Sequence, residues 1–257
     1  MTLLALRCPV RTVKNVADNI FVLSMAAPRI SSLVKSGQFV NIRIEDSTEP
    51  LLRRPFSVYR REGENIEILF NVIGRGTACL SHKVAGEELD VLGPLGVPFS
   101  LAGEEFRTAL LVGGGLGVAP LPLATDALLD AGKDIQTFIG ARSAGSLALS
   151  HLKNPHIATD DGSRGHHGTI VDLVRKTLTK ERFKSPKIFG CGPTPMLRAL
   201  AQLARQMDIP CEVSLEGPMG CGFGICQGCP VELVGQEKKY ALMCKDGPVF
   251  DIRKIRF

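Results

Sequence analysis

Four cysteines near the C-terminus have the types and spacing of a metal-binding site. Cys221, Cys226 and Cys229 lie in the segment GCGFGICQGC at 220–229, and Cys244 follows in YALMCKDG. Cysteine thiolates are the usual ligands of structural zinc and of iron–sulfur clusters. Four thiolates can therefore converge on one inorganic site.

The spacing of these cysteines favours iron–sulfur over zinc. Cys-x4-Cys-x2-Cys with a remote cysteine is the plant-type [2Fe-2S] pattern, whereas zinc sites usually pair two short knuckles. Glycines at 220, 222, 224 and 228 allow left-handed backbone conformations and a close approach of N–H groups to sulfur. The sequence predicts a [2Fe-2S] cluster; zinc, in a zinc-stabilised binding module, and four buried structural cysteines are the alternatives.

Two further segments have features of phosphate binding. The loop VGGGLGVAP at 112–120 lies between an apolar segment and a helix-like segment, where backbone amides could approach a diphosphate. It lacks strict Gly-x-Gly-x-x-Gly form, and the next predicted strand ends in GARS with no acidic residue for a ribose. A strand-to-helix turn without a ligand is the alternative interpretation.

The segment LLRRPFSVY at 51–59 combines a cation, a rigid proline and a hydroxyl group. Arg54 beside Pro55 could hold a diphosphate, and Ser57 could donate a hydrogen bond to a ring heteroatom. The later segment GRGT at 74–77 begins a helix-like stretch and offers a second diphosphate contact. Taken alone, the first segment could equally be a solvated turn.

The elements that must position these residues fall into three regions. Short β-type segments separated by turns fill residues 1–102 and predict an antiparallel barrel or sandwich. Strands alternating with helices fill 103–213 and predict a parallel sheet. The last region, 214–257, is rich in glycine and cysteine and too short for a large core, so we expect it to depend on its metal.

Composition argues against several classes of function. The net charge is +5, and there are two tyrosines, no tryptophan and no basic run interleaved with aromatics, so nucleic-acid binding is not expected. The apolar stretch 108–125 contains four glycines and two prolines, which argues against a membrane span. The N-terminus lacks a secretory pattern, and the predicted location is the cytoplasm, where clustered cysteines bind metal.

These segments follow one another in an order that resembles the ferredoxin-reductase superfamily. RRPFS precedes GRGT, GPLG at 93–96, VGGGLGVAP, CGPTPM at 191–196 and the four cysteines. With the cysteines C-terminal to the nucleotide region, and with LLRRPFS, VLGPLG, CGPTPML and CKDGPVF, the chain resembles the electron transfer subunits of type B dihydroorotate dehydrogenases. The resemblance covers nearly the whole chain. It implies a β-barrel domain for FAD, an α/β domain for NAD and a small C-terminal [2Fe-2S] domain.

The resemblance also implies a set of site residues. FAD would contact Arg54, Pro55, Phe56, Ser57, Phe70, Asn71, Val72, Gly76 and Thr77. The nicotinamide nucleotide would lie beside Gly113, Gly114, Gly115, Gly117, Cys191, Gly192 and Pro193, and the cluster would be bound by Cys221, Cys226, Cys229 and Cys244. Asn71 stands where relatives often carry arginine. His166 and His167 look like a ligand pair, but a surface loop is the favoured interpretation.

The implied function is electron transfer. Dihydroorotate would be oxidised on the FMN of a separate catalytic subunit, and electrons would pass through [2Fe-2S] and FAD to NAD+ in pyrimidine biosynthesis, within a heterotetramer. No residue here is predicted to act as a general base. A related subunit of an NAD(P)H-ferredoxin oxidoreductase or sulfhydrogenase is the alternative. We expect Phe223 or Ile225 to face the partner, with inward packing of both as the alternative.

Overall fold

A computed structural model describes residues 3–45 and 49–257. Six antiparallel strands in the first part of the chain close into a barrel with the order β1-β2-β5-β4-β3-β6. The strands are β1 Leu4–Ala17, β2 Ile20–Ala26, β3 Phe39–Arg43, β4 Arg54–Glu62, β5 Asn65–Asn71 and β6 Glu88–Leu95. Two short helices, α1 Pro28–Ser31 and α2 Arg75–Ser81, join them. Of the two predicted architectures, the chain adopts the barrel.

Alternation along the barrel strands separates an apolar interior from a polar outer face. On β3, Val40 and Ile42 are fully buried inside the barrel, so the residues between them face outwards. The register pairs Phe39 with Ser57 and Asn41 with Pro55 across β3 and β4. These four residues therefore share one patch on the outside of the barrel.

The following region forms a seven-stranded sheet with the order β10-β9-β8-β7-β11-β12-β15. Its strands are β7 Thr108–Gly114, β8 Asp134–Ala141, β9 Pro155–Thr159, β10 His166–His167, β11 Pro186–Cys191, β12 Cys211–Ser214 and β15 Val249–Asp251. All neighbours are parallel except β12 and β15, which are antiparallel. The predicted parallel sheet is confirmed.

The helices of this region have apolar faces that pack on the sheet. They are α3 Leu121–Asp130, α4 Ile170–Lys180 and α5 Thr194–Gln206. On α5, Leu197, Leu200 and Ala204 recur at helical spacing and are buried in the same core as the sheet. None of the helices in the described ranges is long and apolar enough to cross a membrane.

The C-terminal region is built from small elements that share the core of the sheet. They are β13 Pro230–Glu232, β14 Tyr240–Leu242, α6 Met243–Asp246 and β15. β13 and β14 pair with each other, whereas β15 pairs with β12, with Phe250 opposite Val213. Phe250 and Ile252 are buried with Leu200 of α5. Sequence periodicity does not indicate β15, because three residues are too few to establish a pattern.

Candidate functional site

The four clustered cysteines form two close pairs. The Sγ atoms of Cys229 and Cys244 lie 3.2 Å apart, and both residues are buried. The backbone N–H of Cys226 donates to the sulfur of Cys221 at 3.5 Å. Cys221 is half-buried and Cys226 exposed, so one pair lies inside the molecule and the other towards its surface.

The surroundings of the two pairs affect their thiols differently. Burial opposes ionisation of Cys221, but hydrogen bonds from the backbone N–H groups of Cys226 and Phe223 outweigh it and lower its pKa to about 6. Burial, together with the adjacent Cys229, raises the pKa of Cys244 to about 12. Binding of a cluster iron by Cys244 would therefore require this thiol to lose its proton.

This donor set supplies the ligands that a two-iron cluster requires. A [2Fe-2S] cluster needs two ligands on each iron, and two thiol pairs meet that need. Gly222 and Gly224 have φ angles of 82° and 92°, so the loop uses left-handed conformations that favour glycine.

The cysteine loop lies against the outside of the barrel. The Nδ2 atom of Asn41 donates a hydrogen bond to the carbonyl oxygen of Cys221 at 2.8 Å. Because Asn41 pairs with Pro55 across the barrel strands, the loop lies close to the Arg54–Ser57 segment. Two regions that were predicted separately therefore meet.

The residues predicted to hold FAD line one edge of the barrel. Arg54 begins β4, and its side chain approaches Gly76 in the first turn of α2, where a Cβ atom would be 3.8 Å from the arginine Cγ. The hydroxyl of Thr77 accepts hydrogen bonds from the backbone N–H groups of Ile73 and Gly74. A cation beside a helix start suits a diphosphate, so this edge fits the predicted cofactor.

The residues predicted to contact the flavin differ in which of their groups could reach a ligand. Phe56 and Phe70 are buried in the barrel core, with ring centroids 6.0 Å apart, so only their backbones could contact a ligand outside. Ser57 is half-buried on the outer face. Val72 accepts a hydrogen bond from Asn19 at 2.9 Å, and Asn71 lines the neighbouring pocket.

That pocket has a volume of about 740 Å³ and lies where the barrel meets the carboxyl ends of the parallel strands. Ligand sites of a few hundred to a thousand Å³ are typical, and this end of a parallel sheet is the usual place for nucleotides. It is lined by Asp18, Asn19, Ile20, Asn71, Gly114, Gly115, Leu116, Gly140, Ala141, Arg142, Ser146, Asp160, Thr169, Ile170, Val171, Pro193, Pro195, Met196, Ala199 and Glu216. Its size and position fit a dinucleotide.

The predicted nucleotide residues divide between the wall of this pocket and the packing behind it. Gly114, Gly115 and Pro193 line the pocket, and Gly115 has a φ of 55°. Gly117 packs directly on the backbone of Cys191, which is buried, so a side chain there would displace β11. Gly113 and Gly192 likewise pack against other residues of the same chain. Gly113 contacts Leu121, and Gly192 contacts Met196.

Four charged residues that line the pocket, Asp18, Arg142, Asp160 and Glu216, were missed from the sequence. Asp160 follows β9, and Arg142 follows β8, and both line the pocket. The dinucleotide pattern places its acidic residue at the end of the strand after the glycine loop, whereas Asp160 follows the next strand, which has only five residues. The segment PHIATDDG, an apolar stretch ending in acidic residues, was the available indication.

The two histidines are not in a surface loop. His166 and His167 form β10, which pairs with β9 at the edge of the sheet. The loop interpretation was wrong because two residues carry no periodic pattern. Within the described part of the chain, they belong to no group of three potential metal ligands.

Comparison with known proteins places these features in a family. Residues 216–256 match the iron–sulfur cluster binding domain of dihydroorotate dehydrogenase B, which favours iron–sulfur over zinc. A Bacillus caldolyticus protein named dihydroorotate dehydrogenase B (NAD(+)), electron transfer subunit, is 36% identical over 252 residues, covering 95% of each chain. The protein of that name from Desulforamulus reducens is 36% identical, covering 91% of this chain and 92% of its own.

Solved structures agree with this relationship. The structure of an NADH-dependent reduced ferredoxin-NADP oxidoreductase superposes with a TM-score of 0.86 at 31% identity, covering 97% of this chain and 89% of that one. The ferredoxin reductase of carbazole 1,9a-dioxygenase has a TM-score of 0.67 at 20% identity, covering 82% and 68% respectively, and shows the shared fold alone. By its fold, its cysteine domain and its full-length relatives, the chain belongs to the family of dihydroorotate dehydrogenase B electron transfer subunits.

Proposed function

We propose that the chain carries electrons between a partner subunit and NAD, through a [2Fe-2S] cluster and FAD. The supporting observation is the order of strands around the barrel. The nucleotide pocket touches β2 and β5, the cysteine loop touches β3, and β4 with Arg54 and Ser57 lies between them. A flavin bound along β4 would lie between the one-electron and the two-electron site.

The residues of this chain bind and orient the cofactors and do not themselves react. Arg54 and the start of α2 would hold the FAD diphosphate, and Ser57 would donate to the flavin ring. Gly115 and Pro193 would let the nicotinamide nucleotide approach the barrel closely. A flavin exchanges electrons singly or in pairs, and thereby links a cluster to a hydride acceptor.

The proposed partner is an FMN-containing catalytic subunit that oxidises dihydroorotate in pyrimidine biosynthesis. Two apolar side chains between the cluster ligands support a protein partner, because Phe223 is 39% exposed and Ile225 is 74% exposed. We propose that the two kinds of subunit assemble as a heterotetramer in the cytoplasm. Clustered cysteines that bind metal are typical of proteins in a reducing compartment.

Co-purification with the partner, followed by a dihydroorotate–NAD+ assay, tests this function. We expect the complex to reduce NAD+ with dihydroorotate and the chain alone to be inactive with that substrate. The chain alone should still oxidise NADH with an artificial dye, since that reaction needs only the nucleotide and FAD. Reduction of NAD+ by dihydroorotate with the isolated chain would overturn the assignment as a carrier.

A second function is favoured by one specific observation. The superposition on the NADH-dependent reduced ferredoxin-NADP oxidoreductase covers 97% of this chain. The chain could therefore serve a ferredoxin-linked complex. Identifying the protein that co-purifies with the chain from its native cells distinguishes the two candidate functions. Only the first function requires a partner that oxidises dihydroorotate.

A further inference from the structure

Asn41 is a buried polar residue that connects the barrel to the cysteine loop. Its side chain is 1% exposed. Its Nδ2 atom donates to the carbonyl oxygen of Cys221 at 2.8 Å, across 180 residues of sequence. This bond holds the backbone of a predicted cluster ligand directly against β3.

The same side chain has an unpaired acceptor. Its Oδ1 atom is buried and has no hydrogen-bond partner in the described part of the chain. Rotating the amide would not relieve this, because it would place an oxygen against the Cys221 carbonyl. Buried unpaired polar atoms reduce stability, and such exceptions concentrate where function requires them.

The loop is shaped to fit this amide. Gly222 packs directly on the Asn41 side chain, and a Cβ atom at position 222 would overlap the Nδ2 atom. The φ of Gly222 is 82°, so a larger residue is disfavoured by conformation as well as by space. The hydrogen bond to Cys221 and the contact with Gly222 together define one position for the loop.

We propose that Asn41 is a positioning residue that holds the Cys221 arm of the cluster loop against the barrel face carrying Pro55 and Ser57. This inference rests on the proposed function, because it concerns the cluster and flavin of that function. Asn41 pairs directly with Pro55, so the residue that contacts the loop lies beside the proposed flavin strand. Holding the loop there fixes the separation of the two redox groups.

The test replaces Asn41 by leucine, which has a similar size and no donor. Gln38→Met is the matched control, because the Gln38 amide is also buried and donates to a loop carbonyl at 2.8 Å, that of Gly96. We expect Asn41→Leu to release iron to a chelator about tenfold faster or more, because losing a group that orients a metal ligand typically weakens metal binding about tenfold to a hundredfold. The control should release iron at the wild-type rate.

Two readouts separate positioning from general stability. The electron paramagnetic resonance spectrum of the reduced cluster should change in Asn41→Leu and not in Gln38→Met, and flavin-to-cluster electron transfer should slow only in the former. Melting temperature and FAD content establish that each variant is folded. Wild-type iron release and spectrum in a folded Asn41→Leu chain would overturn this inference alone. A wild-type chain without iron and sulfide would instead overturn the proposed function.

Discussion

At the scale of the residue, Cys226 is the most accessible of the four predicted cluster ligands. It is exposed, whereas Cys229 and Cys244 are buried. Replacing Cys226 by serine should remove most of the iron and acid-labile sulfide, because one iron loses a thiolate. Iron and sulfide analysis checks this, and Cys79→Ser, a half-buried cysteine outside the loop, is the control. Full iron content in Cys226→Ser would refute the ligand assignment.

Arg54 is the cation predicted to hold FAD. Hydrogen bonds to charged groups contribute about 1.5–3 kcal/mol, so Arg54→Ala should weaken FAD binding roughly tenfold to a hundredfold. Flavin occupancy after gel filtration measures the loss, while iron content should be unchanged. Arg107→Ala is the control, because Arg107 is exposed and forms its ion pair with Asp134 in another part of the molecule. Equal flavin occupancy in both variants would contradict this role.

We predict that Asp160 binds a ribose of NAD. It lines the pocket at the carboxyl end of β9, and a carboxylate there can accept hydrogen bonds from ribose hydroxyls. Asp160→Ala should raise the KM for NADH about tenfold and reduce discrimination against NADPH, since Arg142 then faces a 2'-phosphate without the nearby carboxylate. Steady-state dye reduction with both nucleotides measures this. Asp161→Asn, at a residue outside the pocket lining, should leave the NADH KM unchanged.

At the scale of the element, the C-terminal region is attached to the fold in two different ways. β15 pairs with β12, and Phe250 and Ile252 are buried against α5. The cysteine loop has mainly its glycine-rich backbone and the Asn41 contact. Its stability should therefore depend more strongly on the cluster than that of β15 does.

Hydrogen exchange with and without iron tests this difference. Removing iron under reducing conditions should abolish amide protection in 220–229, because the loop loses its bound cluster. Protection in 249–252 should persist, because β15 pairs with β12, and Phe250 and Ile252 are buried in a core that includes Leu200 of α5. The barrel strands provide the internal control. Equal loss of protection in both segments would show that the whole C-terminal region depends on the metal.

At the scale of the whole molecule, the exposed apolar residues of the cysteine loop define the proposed docking surface. Ile225 is 74% exposed, so its substitution should not affect the core. Ile225→Asp should weaken binding of the catalytic subunit and lower dihydroorotate–NAD+ activity of the complex, while dye reduction stays normal. Val84→Asp is the control, because Val84 is 63% exposed on the barrel and outside the loop. Equal affinity of both variants for the catalytic subunit would show that the interface lies outside the cysteine loop.

The sequence alone determined the features that local spacing encodes. The interval between Cys221, Cys226 and Cys229 indicated an iron–sulfur site, because ligand spacing within one loop is a local property. Strand alternation before residue 102 and strand–helix alternation after it indicated the barrel and the parallel sheet, because each periodicity follows from backbone geometry. The roles of the individual site residues stay predictions.

Only the tertiary structure decided which of these segments meet. The contact between Asn41 and Cys221 joins residues 180 positions apart, and neither local pattern contains it. Asp160 reaches the nucleotide pocket because β9 lies beside β8 in the sheet, and β15 joins the sheet through its pairing with β12. Such contacts follow from strand order and packing, which arise from the summed burial of distant segments and not from spacing along the chain.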